Sequence, residues 1–435
     1  MKKSKLSSKF WVALTIFSLV GQVAWVVENM YFNVFIYKMF HATAEQISLM
    51  VSASAVSATI TTILIGALSD KIGKRKLFIC SGYILWGISI WSFSLIRTDV
   101  IDRMFPLAVS SAAVGVSLVI IMDCVMTFFG SAANDACFNA WLTDVTDDTN
   151  RGAAEGINSM MPLVAILVVF GGFMGFDLNK PESWTTIYSI IGIVVFILGI
   201  LAIFLVKDVP IDTSKNQNYL GNIFYGFRPS VIKNNKLFYI ILAAFATFCI
   251  SIQIFMPYLI LYYNVSLGMN DYVLIMAPAV IVAAIATAFY GRIYDKYGFK
   301  LAIMPAIGTL MVGYILLYLF KTTIFVFIGS LFMMSGYLMG MAIFGAMLRD
   351  YTPQNRAGMF QGLRIVGQVL IPGIIGPWIG ALVLKNAKTI VNDDGTSSFI
   401  PNENIFLAAL IAACFIWLIL AVIFKLIHKS KENVD

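Results

Sequence analysis

Apolar residues fall along this chain in long unbroken blocks, and short polar gaps separate them. The blocks show no alternation of every second residue, so they are not barrel strands. A helix rising ~1.5 Å per residue needs ~20 mostly apolar residues to cross ~30 Å of hydrocarbon. Twelve blocks reach that length: 10–38, 46–68, 77–97, 106–140, 156–176, 185–206, 238–263, 271–292, 300–320, 323–348, 361–384 and 404–427. Lipid offers backbone groups no partner, so each block is predicted as a helix that satisfies its own N–H and C=O groups. The fourth is too long for one span, and its last turns are expected to project into the cytoplasm. The first is too long for a signal peptide and has no small-residue cleavage site, so it is read as a retained span.

Composition supports this reading. Hydrophobic residues make up 60% of the 435, and charged residues only 12%, against about 25% in a soluble domain. A soluble surface and a disordered chain are both excluded. The 30 Lys and Arg residues then set the orientation. With the N-terminus inside, 23 lie on the cytoplasmic side and seven outside, which predicts cytoplasmic termini on a multi-pass protein of the cell membrane. The net charge of +7 is therefore a matter of topology, and no nucleic-acid partner is expected. The five cysteines lie in or beside spans and are read as packing residues. Only His41 and His428 exist, with no paired Cys/His spacing, so no metal is expected. No phosphate-binding loop and no credible Ser/His/Asp set are present, so neither an ATP-driven pump nor an enzyme is expected, and no cofactor.

The two halves repeat. Gly66, Asp70, Gly73 and Arg75 follow the second block as G-x-x-x-D-x-x-G-x-R, and Gly291, Asp295, Gly298 and Lys300 follow the eighth in the same pattern. Asp144 with Arg151 after the fourth block returns as Asp350 with Arg356 after the tenth. Offsets of 225 and 206 residues mean a repeat with insertions and deletions. The predicted organisation is an N-terminal six-helix bundle over 1–206, a cytoplasmic linker over 207–237 and a C-terminal six-helix bundle over 238–435.

The first loop resembles the signature of the major facilitator superfamily, and the second resembles its weaker C-terminal copy. The resemblance covers nearly the whole chain. It implies an all-α membrane protein with twelve transmembrane helices in two bundles, probed from each membrane face in turn by alternating access. Two segments are also similar to glycoside–cation symporters and sucrose–proton symporters. One is Gly21-Gln22 with Trp25 and Glu28 in the first block. The other is Asp123, then Asn134-Asp135 and Asp144, in the fourth. In those families an Asp of the fourth span binds sugar or couples protons, and the resemblance carries that role to Asp123 alone.

Polar residues inside the blocks are few. A charge in hydrocarbon costs about 2.5–3.5 kcal/mol on insertion scales, so such residues face a cavity or a partner. On an unbroken helix Asp123, Thr127, Ser131 and Asn134 form one stripe with Asp135 at its edge. Gln22, Trp25, Asn29 and Asn33 share a face of the first block, and Glu28 flanks it. A Trp beside amides and a carboxylate suits a sugar: the ring stacks on C–H groups and the polar groups take hydroxyls. Each of these has a plainer reading as well, a helix–helix hydrogen-bond seam for the stripe and packing for Trp25. Arg364 and Gln368 share a face of the eleventh block, where Arg364 is read as a counter-charge across the bundle or as a snorkelling base. Gln253 of the seventh block is a weaker candidate. The loop residues read as gates, in which Asp70 and Asp295 accept bonds from helix N-termini or pair with Arg151 and Arg356, and the glycines permit close helix approach.

Two departures from the resembled families matter. Residues 46–68 contain no acid, where melibiose-type carriers hold sodium, and 156–176 contain no Arg, where sucrose symporters carry one. The reading is a monomeric secondary transporter that moves a sugar or glycoside with protons rather than sodium. An exporter of amphipathic drugs or lipids on the same fold is the alternative. A non-transporting sensor comes third.

Overall fold

In the computed structural model, residues 6–108, 110–147, 150–208, 224–352, 362–392 and 395–432 are described. Twelve helices are long and apolar enough to cross a membrane. Six lie in the unit Met1–Leu220: span 1 Ser8–Phe40, span 2 Ala44–Ile72, span 3 Arg75–Leu95, span 4 Ser111–Val145, span 5 Arg151–Phe173 and span 6 Pro181–Leu205. Six lie in Gly221–Asp435: span 7 Lys236–Ser266, span 8 Tyr272–Tyr290, span 9 Arg292–Leu319, span 10 Thr323–Asp350, span 11 Gly362–Leu384 and span 12 Asn404–Ile427. The fold is all-α apart from a hairpin of Thr389–Val391 with Ser397–Phe399, with Thr389 opposite Phe399.

The same pairings recur within each unit. Span 1 packs on spans 5 and 6, and span 3 on spans 4 and 6; likewise span 7 packs on spans 11 and 12, and span 9 on spans 10 and 12. The elements obey ordinary helix rules turned inside out. Span 2 opens with a capping box, Thr43 Oγ1 accepting from Gln46 N at 3.2 Å and Gln46 Oε1 from Thr43 N at 2.9 Å. Along it Ile60, Leu64, Leu68 and Ile72 repeat every four residues and are all exposed, while Ser48, Ser52 and Thr59 are buried. Lipid is the solvent for the apolar stripe, and the small hydroxyl residues let neighbouring helices approach.

Most boundaries shift by a few residues from expectation, and two bear on the loops. The gap expected at 293–299 is shorter than the sequence suggests: helix runs on to a break at Gly298, where φ 77° and ψ 177° are non-helical, and a second helix continues from there. Span 4 runs five residues beyond the apolar block, to Val145, because the polar turns after 140 keep their helical bonds.

Candidate functional site

Four π-helical turns interrupt the spans: Val27–Tyr31 in span 1, Ser131–Phe138 in span 4, Tyr262–Ser266 in span 7 and Val366–Leu370 in span 11. Such turns are rare and tend to mark functional sites, because the extra residue re-aims the side chains around it. Here they carry Glu28, the Asn134–Asp135 pair, Tyr262 and Gln368.

The N-terminal unit collects the acids. Glu28 is buried, and its Oε1 accepts from Ser54 Oγ of span 2 at 2.6 Å and from Thr127 Oγ1 of span 4 at 2.8 Å. Ser54 Oγ and Thr127 Oγ1 are themselves 2.8 Å apart. Three short edges share two hydroxyl protons. A charged Glu28 draws both onto Oε1, and a protonated one leaves the hydroxyls free to bond each other. Glu28 Oε2 has no partner, nor has Oδ1 of Asp123, which is 1% exposed one turn before Thr127.

A second polar group sits beside the first. Asp135 accepts from Ser131 Oγ at 3.1 Å and Asn134 Nδ2 at 3.3 Å, and Asn134 Oδ1 accepts from Tyr83 OH of span 3 at 2.8 Å. Gly21 makes this possible, since a Cβ there would stand 2.6 Å from Asn134 Oδ1. Trp25 is half-buried with its ring centroid 5.1 Å from that of Trp86, and its indole N–H lies within reach of Asp135 without a well-formed bond. Together these give open carboxylate oxygens, an amide and an indole face in one unit.

The expected face of span 1 changes. Asn29 is exposed and donates to its own helix at Trp25 O, 2.8 Å, while Asn33 is buried and donates to Asn29 O at 2.9 Å. A π turn lies between Gln22 and Asn33, and within it Glu28 is buried while Asn29 is exposed beside Trp25. Gln22 is half-buried and makes no side-chain hydrogen bond. Ser54, Tyr83 and Trp86 did not stand out in the sequence. A run of small hydroxyl residues in span 2, Ser52, Ser54, Ser57 and Thr59, was the available signal.

In the C-terminal unit Arg364 Nε donates to Gln368 Oε1 at 3.2 Å, and Gln253 packs by its Cβ over Gly376. Tyr263 OH and Ser330 Oγ are 2.7 Å apart, and the buried Tyr262 OH has no partner.

The loops differ from the expected pairing. Asp70 pairs with Arg75, whose Nε also reaches Asp144 Oδ2 at 3.1 Å and whose Nη1 bonds Ser69. Arg151 instead donates to Thr146 Oγ1 at 3.3 Å, Thr146 O at 3.1 Å and Thr143 O at 3.3 Å, all close in sequence to it. Arg75 wins because it follows Asp70 by five residues across a tight turn. Asp295 is exposed and makes no ion pair among the described residues, and Asp350 accepts from Tyr294 OH. Arg356 lies outside the described residues. Gly73 and Gly298 serve the turns through positive φ, 72° and 77°. Gly66 makes no close approach, as a Cβ there would meet only Ala136, at 3.9 Å. Gly291 is helical. Among the described residues no three His, Cys, Asp or Glu side chains gather as a metal site would need.

The model of the Major Facilitator Superfamily matches residues 12–377. The chain belongs to this superfamily. It is a multi-pass membrane transporter. Solved structures with the superfamily fold align along nearly all of it. A variant of the nucleoside transporter NupG shares 14% identity over 95% of this chain and 98% of its own, with TM-score 0.69. A D-xylose–proton symporter shares 15% over 94% and 97%, TM-score 0.69. A bacterial homologue of the human lysosomal transporter Spinster, inward-facing, shares 15% over 97% of each chain, TM-score 0.68. At such identities the likeness shows the fold. No curated protein matches the chain.

Proposed function

We propose that this superfamily member is a secondary active transporter that moves a small polar solute, a sugar or glycoside, together with protons by alternating access. The observation that carries the reading is the pair of buried carboxylates, Glu28 and Asp123, each with one oxygen unpartnered inside a membrane span. A buried ionised group without partners is costly. Taking up a proton removes that cost, and so does accepting a solute hydroxyl. Coupling follows if both events use the same oxygens. Trp25 offers an apolar ring beside Asp135, the combination that recognises a sugar's C–H face and hydroxyls. Glu28, Asp123, Thr127, Asn134 and Asp135 are assigned to binding and coupling. Asp70, Arg75, Asp144 and Asp350 are assigned to the cytoplasmic gate. Asp295 and Arg151 keep only the weaker place of loop charges near it. The fold is shared with a D-xylose–proton symporter and a nucleoside transporter, which supports a sugar-bearing solute. Span 2 carries no acid between 46 and 68, which favours protons over sodium. The protein is placed in the cell membrane as a monomer with both termini in the cytoplasm.

The test is sugar uptake by proteoliposomes under an imposed pH gradient, with Glu28→Gln and Asp123→Asn beside the wild type. Gradient-driven accumulation should be lost in both variants while solute exchange across the membrane survives in at least one. Unchanged accumulation in both overturns the coupling. Thermal stabilisation by amphipathic cations and by none of a panel of sugars would turn the assignment to export.

A further inference from the structure

Arg364 is the charge in the C-terminal unit that the gate and the acid cluster leave unexplained. It stands third in span 11 and is half-buried rather than extended to solvent. Its guanidinium lies against span 10, where Gly345 leaves room: a Cβ there would stand 3.6 Å from Nη2. Gln368, on the π-helical turn, takes Nε at 3.2 Å. No other hydrogen bond and no ion pair forms among the described residues. The charge that acts on Arg364 is that of Arg349, of like sign, and the uncharged Cys249 thiol of span 7 also lies near it. Among the described residues of its unit the cation is thus held by an amide, with a second cation near it and no carboxylate bonded to it. Such a site is incomplete as it stands.

The fork geometry says what completes it. Gln368 occupies the Nε edge and leaves the two terminal nitrogens side by side. That end of a guanidinium binds the two oxygens of a carboxylate or phosphate in parallel. We infer that Arg364, positioned by Gln368, receives an anionic oxygen group of the transported solute, a carboxylate or phosphate, and so selects acidic over neutral solutes. The inference rests on reading the chain as a carrier of polar solutes.

The test uses purified full-length protein in detergent at matched ionic strength, with two pairs of probes: glucose 6-phosphate against glucose, and gluconate against sorbitol. On the wild type the acidic member of at least one pair should raise Tm more than its neutral twin. By titration calorimetry it should bind about tenfold or more tightly, as expected for a hydrogen-bonded charge. Arg364→Lys should keep part of that preference, and Arg364→Gln should lose it. Equal binding of both twins by the wild type overturns the proposal without needing any variant to fold. So does a preference that survives Arg364→Gln. Stabilisation by phosphatidylglycerol nanodiscs with none by the soluble acids also overturns it, by giving the site to a lipid headgroup. Failure of the parent reading looks different: sugar accumulation indifferent to Glu28→Gln and Asp123→Asn, with the acidic preference intact.

Discussion

Ser54→Ala tests the geometry of the acid cluster most directly. The hydroxyl lies 2.6 Å from Glu28 Oε1 and 2.8 Å from Thr127 Oγ1, and its loss leaves a methyl group in the same space. The cost is bounded from two sides. Hydrogen bonds to charged groups contribute about 1.5–3 kcal/mol, and interhelical bonds in bilayers average about 0.6 with a maximum near 1.7. Thr127 still donates to Oε1 at 2.8 Å, so the carboxylate keeps one donor. The single substitution should therefore fall at the upper end of the bilayer range, about 1–1.7 kcal/mol. That is roughly a 5- to 20-fold fall in kcat/KM for gradient-driven uptake. Thr127→Val alone should cost a similar amount.

The double variant separates this account from general damage to packing. With both hydroxyls gone, Glu28 has no donor on either oxygen, since Oε2 has none already. The second loss must then exceed the first, with a coupling of about 0.5–3 kcal/mol, the range for residues that share one network. Ser54→Thr keeps the hydroxyl and should stay near wild type. Proteoliposome uptake of all five proteins, corrected for the amount inserted, measures the cycle. Losses that add to within about 0.3 kcal/mol refute the shared-acceptor argument. A Ser54→Ala variant within twofold of wild type refutes the importance of the bond.

Packing and surface charge give two further expectations. A Cβ on Gly87 would stand 2.4 Å from Phe196 N and 2.7 Å from Gly192 O, backbone atoms that cannot swing aside, so Gly87→Ala should lower stability by about 1–3 kcal/mol. Gly308, with nothing within 4 Å of its added Cβ, should be neutral or gain up to about 1 kcal/mol as Gly308→Ala; equal Tm shifts in the two would refute the contrast. Just before span 12 the Glu403 carboxyl lies below the usual range: partial burial pushes it up, but its backbone N–H and Lys321 Nζ, 3.1 Å away, outweigh that. A lowered acid contributes stability above its unfolded value, about 4.3, and loses it as pH falls through the lower folded one. Glu403→Gln should therefore reduce Tm slightly at pH 7, by less than about 1 kcal/mol for a pair this exposed, and the gap to wild type should close below about pH 4; a gap that widens on acidification contradicts the sign.

Most of the fold was legible because lipid makes it so. A block of twenty apolar residues has few alternatives to a helix, and the repeated loop motifs locate the two halves. What escaped was whatever depends on the local pitch of those helices. A regular period puts Glu28 at the edge of the face of Gln22 and Trp25, and within the π turn at Val27–Tyr31 it is buried against Ser54 and Thr127. No residue in that turn signals a π bulge by its type. Ser54 was invisible for a related reason: span 2 is rich in small hydroxyls, and only the contact singles one out.

The loop motifs show how a repeat can keep its residue pattern and change its turn and its electrostatics. Gly73 and Gly298 hold equivalent places in the motif and both adopt positive φ, which glycine takes without strain, but their ψ values of 18° and 177° make two different turns. The base two residues later diverges. Arg75 is 6% exposed and ties Asp70, Asp144 and Ser69 together, whereas Lys300 stands exposed with its ammonium 5.5 Å from the centroid of the Phe424 ring. In the C-terminal copy a neutral phenol, Tyr294, takes the bond to Asp350, and Asp295 is left to solvent. A buried Arg that bridges two carboxylates is costly to part from either, because the partner left behind is an uncompensated charge. A Tyr–Asp bond with solvent at hand is replaced by water at little cost. The two halves therefore carry matching motifs with different turns and unequal grip, and the firmer one is in the half that holds Glu28 and Asp123.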